Sequence, residues 1–308
     1  MDLIGLKQMD RQTMVDLLDE SGRYLSEDWE VVTPPEKEQA LEGCTIGLIF
    51  LEPSTRSRVS FELAVRRLGG EVTLVTRDDE SIQRGESAAD MCETMEAMGV
   101  DGFVVRHGDR QLPHLLSDRV KVPVINAGNG SGEHPTQGLL DALTLRRHFG
   151  LNEGLEGLKV AIMGDVVHSR VARSDAFAFS TLGADVLLVG PKHLLPSPGR
   201  REQWPASVTS SRKEALQWAD VVVTLRIQEE RVQGNLIDPH TYAMEWGIDS
   251  SVVQRYMKDE AVILHPGPVV RGVELSNPVV DSERCLIAQQ AASSVAVRQA
   301  ILDQRFGR

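Results

Sequence analysis

Short apolar, β-branched runs alternate with helix-forming segments along most of the chain. Four runs in the first half have the composition of buried strands: 45–50, 72–75, 102–105 and 122–125. Four more follow in the second half: 158–163, 185–189, 220–224 and 261–264. Segments with helical apolar spacing lie between them, for example from Phe61 to Leu68 and over residues 88–98. This alternation predicts parallel sheets with helices on both faces.

The two sets of strands predict two domains. A length of 308 residues is enough for two units that each bury their own core. Gly150, Gly154 and Gly157 separate the two sets, and we interpret this stretch as a hinge. We therefore expect two doubly wound α/β domains with an active-site cleft between them. A last helix is predicted from residue 283 to about 304, and its periodicity fits packing against either domain.

Composition narrows the class of protein. No stretch approaches the roughly 20 apolar residues of a membrane span, and no export signal begins the sequence. Cys44, Cys92 and Cys285 have neither metal-ligand nor redox spacing, so we expect buried thiols in the cytoplasm. The net charge of −12 argues against a general nucleic-acid-binding protein. An anionic ligand would therefore need a local cluster of cations.

Such a cluster follows the first predicted strand. The segment Ser54-Thr55-Arg56-Ser57-Arg58 places three hydroxyl groups and two guanidiniums where that strand gives way to a helix. The start of a helix offers backbone N–H donors and partial positive charge, and arginine adds paired donors for an anion. The segment is typical of a phosphate site. The alternative is ordinary helix capping by Ser54 or Thr55.

Further polar residues follow other strands of the first set. Arg106 follows the third predicted strand, and a glycine-rich loop after the fourth leads to His134 and Gln137. A surface arginine and a structural histidine are the simpler interpretations, but the glycines favour close approach to a ligand. The polar segment 81–87 carries Ser81 and Arg84. It is either a solvent loop or an arm that reaches a neighbouring active site.

The second set of strands ends in a similar way. Gly164-Asp165 follows its first strand, and Arg170 follows at a predicted helix start. Arg226 and Gln228 follow another strand, and His265-Pro266-Gly267-Pro268 a third. Each segment also has a structural interpretation. The first would cap a helix, the second would form a surface salt bridge, and the third would be a turn. Together the two guanidiniums and the amide suit a small dicarboxylate.

These motifs resemble those of aspartate carbamoyltransferase catalytic chains. The segments that carry the resemblance are Phe-Leu-Glu-Pro-Ser-Thr-Arg-Ser-Arg-Val-Ser-Phe-Glu at 50–62, His-Pro-Thr-Gln at 134–137, Arg-Ile-Gln at 226–228 and His-Pro-Gly-Pro at 265–268. They occur in the order of that family over almost the whole chain. The first two are shared with ornithine carbamoyltransferases. The last two favour aspartate, because the ornithine enzymes carry His-Cys-Leu-Pro at the last position.

The resemblance implies transfer of a carbamoyl group from carbamoyl phosphate to the α-amine of L-aspartate, an early step towards pyrimidines. The residues that it assigns to carbamoyl phosphate are Ser54, Thr55, Arg56, Ser57, Ser81, Arg106, His134 and Gln137. Ser81 and the catalytic cation Arg84 would come from a neighbouring subunit. Those with catalytic roles are Thr55, Arg56, Arg84, Arg106 and His134. Those that it assigns to aspartate are Arg170, Arg226, Gln228, Gly267 and Pro268.

The resemblance also implies an organisation. Residues 1–146 and a C-terminal helix at 288–308 would bind carbamoyl phosphate, and residues 147–287 would bind aspartate. The family is trimeric with shared active sites, and a regulatory chain or a dihydroorotase is left open as a further partner. No metal, cofactor or covalent nucleophile is needed, since orientation and electrostatic stabilisation suffice for this transfer.

Four positions depart from the family pattern. Ser57 replaces a threonine and keeps its hydroxyl, whereas Arg84 replaces a catalytic lysine with a planar guanidinium. Asn129 stands where aspartate is usual, and Val270 where asparagine is frequent. Two alternatives follow: a catalytically weak paralogue that acts as a binding or scaffold subunit, and a carbamoyltransferase for another amino acid. A dinucleotide dehydrogenase is set aside because no Gly-x-Gly-x-x-Gly follows a predicted strand.

Overall fold

The structure is a computed structural model that describes residues 2–227 and 238–307. Its strands are β1 (Thr45–Phe50), β2 (Glu71–Thr76), β3 (Gly102–His107), β4 (Val124–Asn129), β5 (Lys159–Met163), β6 (Asp185–Val189), β7 (Ser207–Thr209), β8 (Val221–Thr224) and β9 (Val262–Leu264). Its helices are α1 (Arg11–Gly22), α2 (Thr55–Arg67), α3 (Glu80–Gln83), α4 (Ala88–Ala97), α5 (Leu112–Arg119), α6 (Pro135–His148), α7 (Arg170–Thr181), α8 (Arg212–Trp218), α9 (Pro239–Trp246), α10 (Ser250–Tyr256), α11 (Asn277–Val280) and α12 (Ile287–Phe306).

The chain divides into two compact units. The first comprises residues 1–143 and 292–308, and the second comprises residues 144–291. The chain passes from one unit to the other within α6 and again within α12. The glycines of the hinge stretch, 150–157, lie in the second unit. No helix in the described ranges is both long and apolar enough to span a bilayer.

The first unit is built on a four-stranded parallel sheet with the order β2-β1-β3-β4. The chain moves outward from β1 to β2 and then returns past β1 to β3 and β4. Because such crossovers are almost always right-handed, this reversal places the crossover helices on opposite faces of the sheet. The reversal falls between β1 and β3. In open α/β sheets, ligands bind outside the carboxyl ends of the strands at such a switch point.

The second unit repeats this arrangement with five parallel strands in the order β7-β6-β5-β8-β9. Here the order in which successive strands are added reverses between β5 and β8. The order is that of dinucleotide-binding sheets, but a fold of this kind supports many functions. The segment after β5 reads Gly164-Asp165-Val166-Val167-His168 and lacks the glycine spacing of a dinucleotide site.

The predicted fold class of two parallel α/β domains is confirmed, and each of the eight predicted strands is present. Two details differ from the sequence-based expectation. Strand β7 was missed, because three half-exposed residues at a sheet edge give no apolar run. Strand β4 begins and ends later than the predicted 122–125, so residues 126–129 belong to the sheet and not to the glycine-rich loop. Pairing with β3 extends it, since His107 lies opposite Asn129.

Helix α12 packs its C-terminal part within the first unit. Asp303 accepts a hydrogen bond from the hydroxyl of Tyr24 at 3.2 Å and pairs with the ammonium of Lys37 at 2.7 Å. The ring of Phe306 covers Gly102 at the start of β3, where a Cβ atom would lie 2.2 Å from Cε1 of that ring. These contacts assign residues 292–308 to the first unit, a point that periodicity left open.

We expect Gly102→Ala to lower the free energy of unfolding by about 1–3 kcal/mol, because the added methyl group overlaps the Phe306 ring. Urea denaturation followed by circular dichroism measures this change. Gly22→Ala is the matched control, since a Cβ atom there has no neighbour within 4 Å among the described residues. Phe306→Ala should remove most of the penalty in the double variant. Strictly additive effects of the two substitutions would contradict this packing.

Candidate active site

The switch point of the first sheet brings the loop after β1 against the end of β3. Phe50 pairs with Arg106 in the parallel ladder. The backbone N–H groups of Leu51 and Glu52 then donate to the carbonyl oxygen of Arg106, at 3.0 and 3.4 Å. Arg106 therefore lies within β3 and not after it, and it is fixed beside the segment that leads into α2.

Helix α2 begins at this loop with the residues of the predicted phosphate site. Ser54 takes the N-cap position with extended backbone, but its side chain makes no capping hydrogen bond to any described residue. The interpretation of Ser54 as an ordinary cap is therefore not supported. Thr55 and Arg56 are exposed in the first turn, whereas Ser57 is buried. The hydroxyl groups and positive end of α2 thus open onto the switch point.

Arg106 is buried at the end of β3 and is held in place by two groups. Its Nη1 donates to the carbonyl oxygen of Ala127 in β4 at 3.0 Å. Its Nη2 lies 3.7 Å from the carboxylate of Glu52 in the loop after β1. A buried guanidinium needs such partners. They hold it at the carboxyl edge of the sheet, where a guanidinium can bind an anion.

The glycine-rich loop after β4 turns back on Gly130. A Cβ atom at Gly130 would lie 2.1 Å from the carbonyl oxygen of Gly108, so the close approach of these two backbones requires glycine. Asn129 braces the loop by accepting from the N–H of Glu133 at 2.7 Å and donating to the carbonyl of Arg110 at 2.7 Å. An aspartate could not make the second bond. This is the structural use of asparagine where the family pattern has aspartate.

His134 ends this loop and is buried against Ser57. Its Nε2 lies 3.3 Å from the hydroxyl of Ser57, and its Nδ1 lies 3.4 Å from the hydroxyl of Thr136. Gln137, in the first turn of α6, donates from its amide Nε2 to both carboxylate oxygens of the buried Asp141 at 3.1 Å. The structure thus brings His134 to the first turn of α2, as expected if these two segments contribute to one site.

Two predicted residues lie apart from this group. Arg84 is exposed and follows α3, after the edge strand β2 and so one strand farther from the switch point. Ser81 lies in α3, and its side chain is outside the described part of the structure. The segment 81–87, interpreted as a loop, contains the end of this short helix.

The second unit repeats the pattern at the ends of β5 and β8. Gly164 has a positive φ of 131°, and a Cβ atom there would lie 2.8 Å from the carbonyl oxygen of Leu225. The two strand ends therefore meet closely. Arg170 is the first residue of α7, which Ser169 caps by accepting from the N–H of Ala172 at 3.1 Å. Arg226 directly follows Leu225, whereas Gln228 lies outside the described residues.

The loop after β9 is tied to the loop after β8 by a buried carboxylate. The side chain of Glu274 accepts from the N–H of Val270 at 2.8 Å and from the N–H of Ile227. His265 Nδ1 accepts from the N–H of Gly267 at 2.8 Å, which leaves the ring proton on Nε2, 4.0 Å from Glu274. Burial raises the pKa of Glu274 to about 7, although these N–H groups and the charge of Arg226 oppose that shift.

Sequence reasoning missed the buried polar residues behind these loops. Asp141 holds Gln137, Thr136 contacts His134, and Glu274 braces the segments that carry Arg226 and Gly267. Thr136 stands inside a recognised motif, and Asp141 follows Gln137 by one helical turn, so both had a local signal. Glu274 had none, because its partners come from other loops.

The first switch point carries guanidinium, hydroxyl and imidazole groups, and Arg170 and Arg226 border the second. This arrangement is typical of α/β proteins that bind small anionic ligands. Residues 1–147 match the family described as aspartate/ornithine carbamoyltransferase, carbamoyl-P binding domain. Residues 156–304 match its aspartate/ornithine binding domain. The chain therefore belongs to the aspartate/ornithine carbamoyltransferase family.

Individual relatives agree with this assignment. The aspartate carbamoyltransferase catalytic subunit of Thermus thermophilus is 44% identical over 293 residues, which cover 94% of this chain and 93% of that protein. The aspartate transcarbamoylase of Trypanosoma cruzi, solved in complex with carbamoyl aspartate and phosphate, is 27% identical with a TM-score of 0.84, covering 99% of this chain and 96% of that one. The ornithine carbamoyltransferase of Pyrococcus furiosus is 26% identical with a TM-score of 0.85 over the same shares of the two chains.

The raised pKa of Glu274 makes a prediction about stability. Native protein binds this proton more tightly than unfolded chain, whose carboxyl titrates near 4.5. Wild-type stability should therefore fall, by this contribution, as the pH rises from about 4.5 to about 7. Glu274→Gln lacks this titration. Its unfolding free energy relative to wild type should rise on the order of 2 to 3 kcal/mol over that window in urea denaturation. A difference that is constant with pH would contradict the buried environment described for Glu274.

Proposed function

We propose that the chain transfers the carbamoyl group of carbamoyl phosphate to the α-amine of L-aspartate, giving N-carbamoyl-L-aspartate and phosphate. The observation that carries this choice is the pair of guanidiniums, Arg170 and Arg226, at the ends of α7 and β8 that border the second switch point. Two cations suit the two carboxylates of aspartate, whereas they would repel the ammonium group of an ornithine side chain. The 44% identity to a protein named aspartate carbamoyltransferase supports the same acceptor.

The first unit supplies the groups for carbamoyl phosphate. Ser54, Thr55, Arg56 and Ser57 at the start of α2 bind its phosphate through hydroxyl, backbone and guanidinium donors. Thr55, Arg106 and His134 donate to the carbamoyl oxygen and stabilise the negative charge that develops on it. Ser57 and Arg106 reach the same switch point from opposite sides, so phosphate and carbamoyl group can be held together.

Gln137 presents its carbonyl oxygen to the carbamoyl NH₂ group. Its own NH₂ group is occupied, since Nε2 donates to both oxygens of Asp141. The amide is therefore oriented with Oε1 away from that carboxylate, and Oε1 can only accept. An acceptor at this place distinguishes the carbamoyl NH₂ group from the carbamoyl oxygen and fixes which way the substrate lies.

The second unit supplies the groups for aspartate. Arg170 and Arg226 bind its carboxylates, together with Gln228, which lies outside the described residues. The carbonyl oxygen of Gly267, next to Pro268, accepts from the amine and leaves its lone pair for attack. We accordingly assign residues 1–146 and 288–308 to carbamoyl phosphate and residues 147–287 to aspartate.

The reaction follows from these contacts. The amine nitrogen attacks the carbamoyl carbon, and the carbamoyl oxygen takes up negative charge beside Arg106 and His134. The C–N bond forms and the bond from carbon to the phosphate oxygen breaks, with the electron pair leaving on phosphate. The leaving phosphate accepts the proton that the amine loses, so no side chain has to act as a base. Placing both reactants in contact supplies much of the acceleration.

A second copy of the chain completes the site in this proposal. Strand β2 is an edge strand, and the first unit exposes Val59, Leu63 and Leu74 at 38%, 43% and 38%. These apolar side chains lie on α2 and β2, next to the segment with Ser81 and Arg84. A trimer that covers them would bring Ser81 and Arg84 to the neighbouring switch point. Arg84 is longer than the family lysine but keeps the positive charge.

Location and further partners complete the proposal. Cys44, Cys92 and Cys285 are free and buried, as predicted, which suits the reducing environment of the cytoplasm. The proposed reaction is an early step of pyrimidine synthesis. A regulatory chain or a dihydroorotase stays a hypothesis that rests on the resemblance alone.

The acceptor assignment predicts aspartate-dependent turnover. Purified protein with carbamoyl phosphate and L-aspartate should release phosphate and form N-carbamoyl-aspartate in equal amounts, as measured by phosphate assay and mass spectrometry. With L-ornithine the rate should be at least about 100-fold lower, because the guanidiniums meet a cation. Arg106→Ala, which lacks an oxyanion donor, should lose about 100- to 1,000-fold in kcat and serves as the background control. Folded trimer that forms no carbamoyl-aspartate would refute the proposal.

The shared site predicts complementation between inactive variants. Arg84→Ala and Arg106→Ala should each be nearly inactive as pure oligomers. After they are mixed in equal amounts, dissociated and reassembled, one site in four should combine an intact Arg106 with an intact neighbouring Arg84. Activity should then recover to roughly a quarter of wild type. Recovery that stays at the level of the separate variants would place Arg84 in its own chain's site or outside any site.

A further inference from the structure

Arg298 is a fully buried cation that the proposed reaction does not use. It lies in α12, within the first unit, and is 2% exposed. Its guanidinium stacks 4.7 Å from the ring centre of Phe61 in α2. Removing a charged group from water costs several kcal/mol, so a buried guanidinium has to be matched by polar partners. Those partners show which other residues Arg298 can affect.

The partners of Arg298 are hydroxyl and carbonyl oxygens on three helices. Its Nη1 donates to the hydroxyl of Ser60 in α2 and to the carbonyl of Ser294 at 3.2 Å. Its Nη2 donates to the hydroxyl oxygen of Thr136 in α6 at 3.3 Å. Thr136 in turn contacts His134, whose imidazole lies in the candidate active site. Arg298 therefore stands one hydroxyl group behind that imidazole.

The donor and acceptor roles along this path are constrained. A guanidinium only donates, so the Thr136 oxygen accepts from Arg298. The single Thr136 hydroxyl proton then points to another acceptor, and Nδ1 of His134 lies 3.4 Å away. An Nδ1 that accepts carries no proton, so a neutral imidazole has its proton on Nε2. That nitrogen is on the side of Ser57, 3.3 Å from its hydroxyl.

The charge of Arg298 also favours a neutral imidazole at His134. A protonated His134 would place a second cation next to the Arg298 guanidinium, which disfavours the charged imidazole. Burial lowers the pKa of Arg298 to about 9, and the negative charge of Asp141 opposes that shift, so the guanidinium stays charged at neutral pH. Asp141 is also the residue that holds Gln137. The same buried pair thus stands behind both groups that face the carbamoyl oxygen and NH₂.

We propose that Arg298 is a positioning residue that acts through the hydroxyl of Thr136 to hold His134 as the neutral imidazole protonated on Nε2. The inference rests on the proposed function, in which that Nε2–H donates to the carbamoyl oxygen. Without the relay, the imidazole can carry its proton on Nδ1 and would then present a lone pair to the developing oxyanion. The donor would be lost although the ring stayed in place.

The test compares two hydroxyl groups that Arg298 contacts. Thr136→Val removes the hydroxyl that relays to His134 at nearly constant volume. Ser60→Ala removes the other hydroxyl, which does not contact His134 in the described structure but does bind the carbonyls of Arg56 and Ser57. Both variants cost Arg298 one acceptor, so a general effect of disturbing this buried arginine should appear in both. Only Thr136→Val should change the tautomer.

The readout is ¹⁵N NMR of histidine-labelled protein without substrates, with the His134 signals assigned by loss in His134→Asn. Wild type and Ser60→Ala should show Nε2 protonated and Nδ1 unprotonated at neutral pH. Thr136→Val should show most of its His134 protonated on Nδ1. Its kcat should fall in proportion to the Nε2-protonated fraction that is lost, by about 5-fold or more, whereas Ser60→Ala should stay within about 2-fold of wild type. Thr136→Ser, which keeps a hydroxyl group, should restore both the NMR pattern and the rate.

Three outcomes would overturn the proposal. Wild-type His134 could carry its proton on Nδ1 or on both nitrogens at neutral pH. Thr136→Val could keep the Nε2 tautomer, or Thr136→Val and Ser60→Ala could lower kcat equally, which would make Arg298 a packing residue only. The NMR result is obtained without substrate. A wild-type protein with the expected tautomer but no transferase activity would therefore refute the proposed function and leave the relay intact.

Discussion

Parallel strand pairing is the constraint on which the rest of this structure depends. Neighbouring parallel strands must be joined by crossovers, usually helices, so every strand ends at the same edge of its sheet. In both units the strand order reverses once, between β1 and β3 and between β5 and β8. The loops on either side of a reversal diverge to opposite faces and leave room between them. Ser57 and His134, 77 residues apart in sequence, meet at 3.3 Å because of this arrangement.

In the proposed function, local clusters of cations give an acidic chain its sites for anions. The net charge of −12 would repel a phosphorylated substrate at long range, so the cations have to be concentrated and oriented. Arg106 is held by the carbonyl of Ala127 and lies near the carboxylate of Glu52. Groups fixed before substrate arrives need little reorganisation as charge develops, which is where electrostatic stabilisation is most effective. Burying a charged group costs free energy, and the fixed polar partners offset that cost.

The fold alone does not choose the acceptor. The TM-scores to an aspartate transcarbamoylase and an ornithine carbamoyltransferase are 0.84 and 0.85, so proteins named for either amino acid share this backbone. In the proposed function the distinction lies in a few side chains at the second switch point, where Arg170 and Arg226 supply positive charge and Glu274 accepts a hydrogen bond from the loop of Arg226. Function in such a fold belongs to the site and not to the sheet. Small changes at that site would alter specificity without altering the architecture.

The sequence by itself determined the strands, the two-domain parallel class and the motifs after the strand ends, because apolar runs and helix starts are local signals. It located Arg106, His134 and Arg226 but not their partners. Short β7 and the extension of β4 through Asn129 depend on pairing with other strands, which periodicity does not detect. Only the tertiary structure decided that Arg298 lies behind His134 and that Glu274 joins two loops. A hydrogen bond between residues 162 positions apart, as between Arg298 and Thr136, is set by how the whole unit packs and leaves no pattern in the neighbouring sequence.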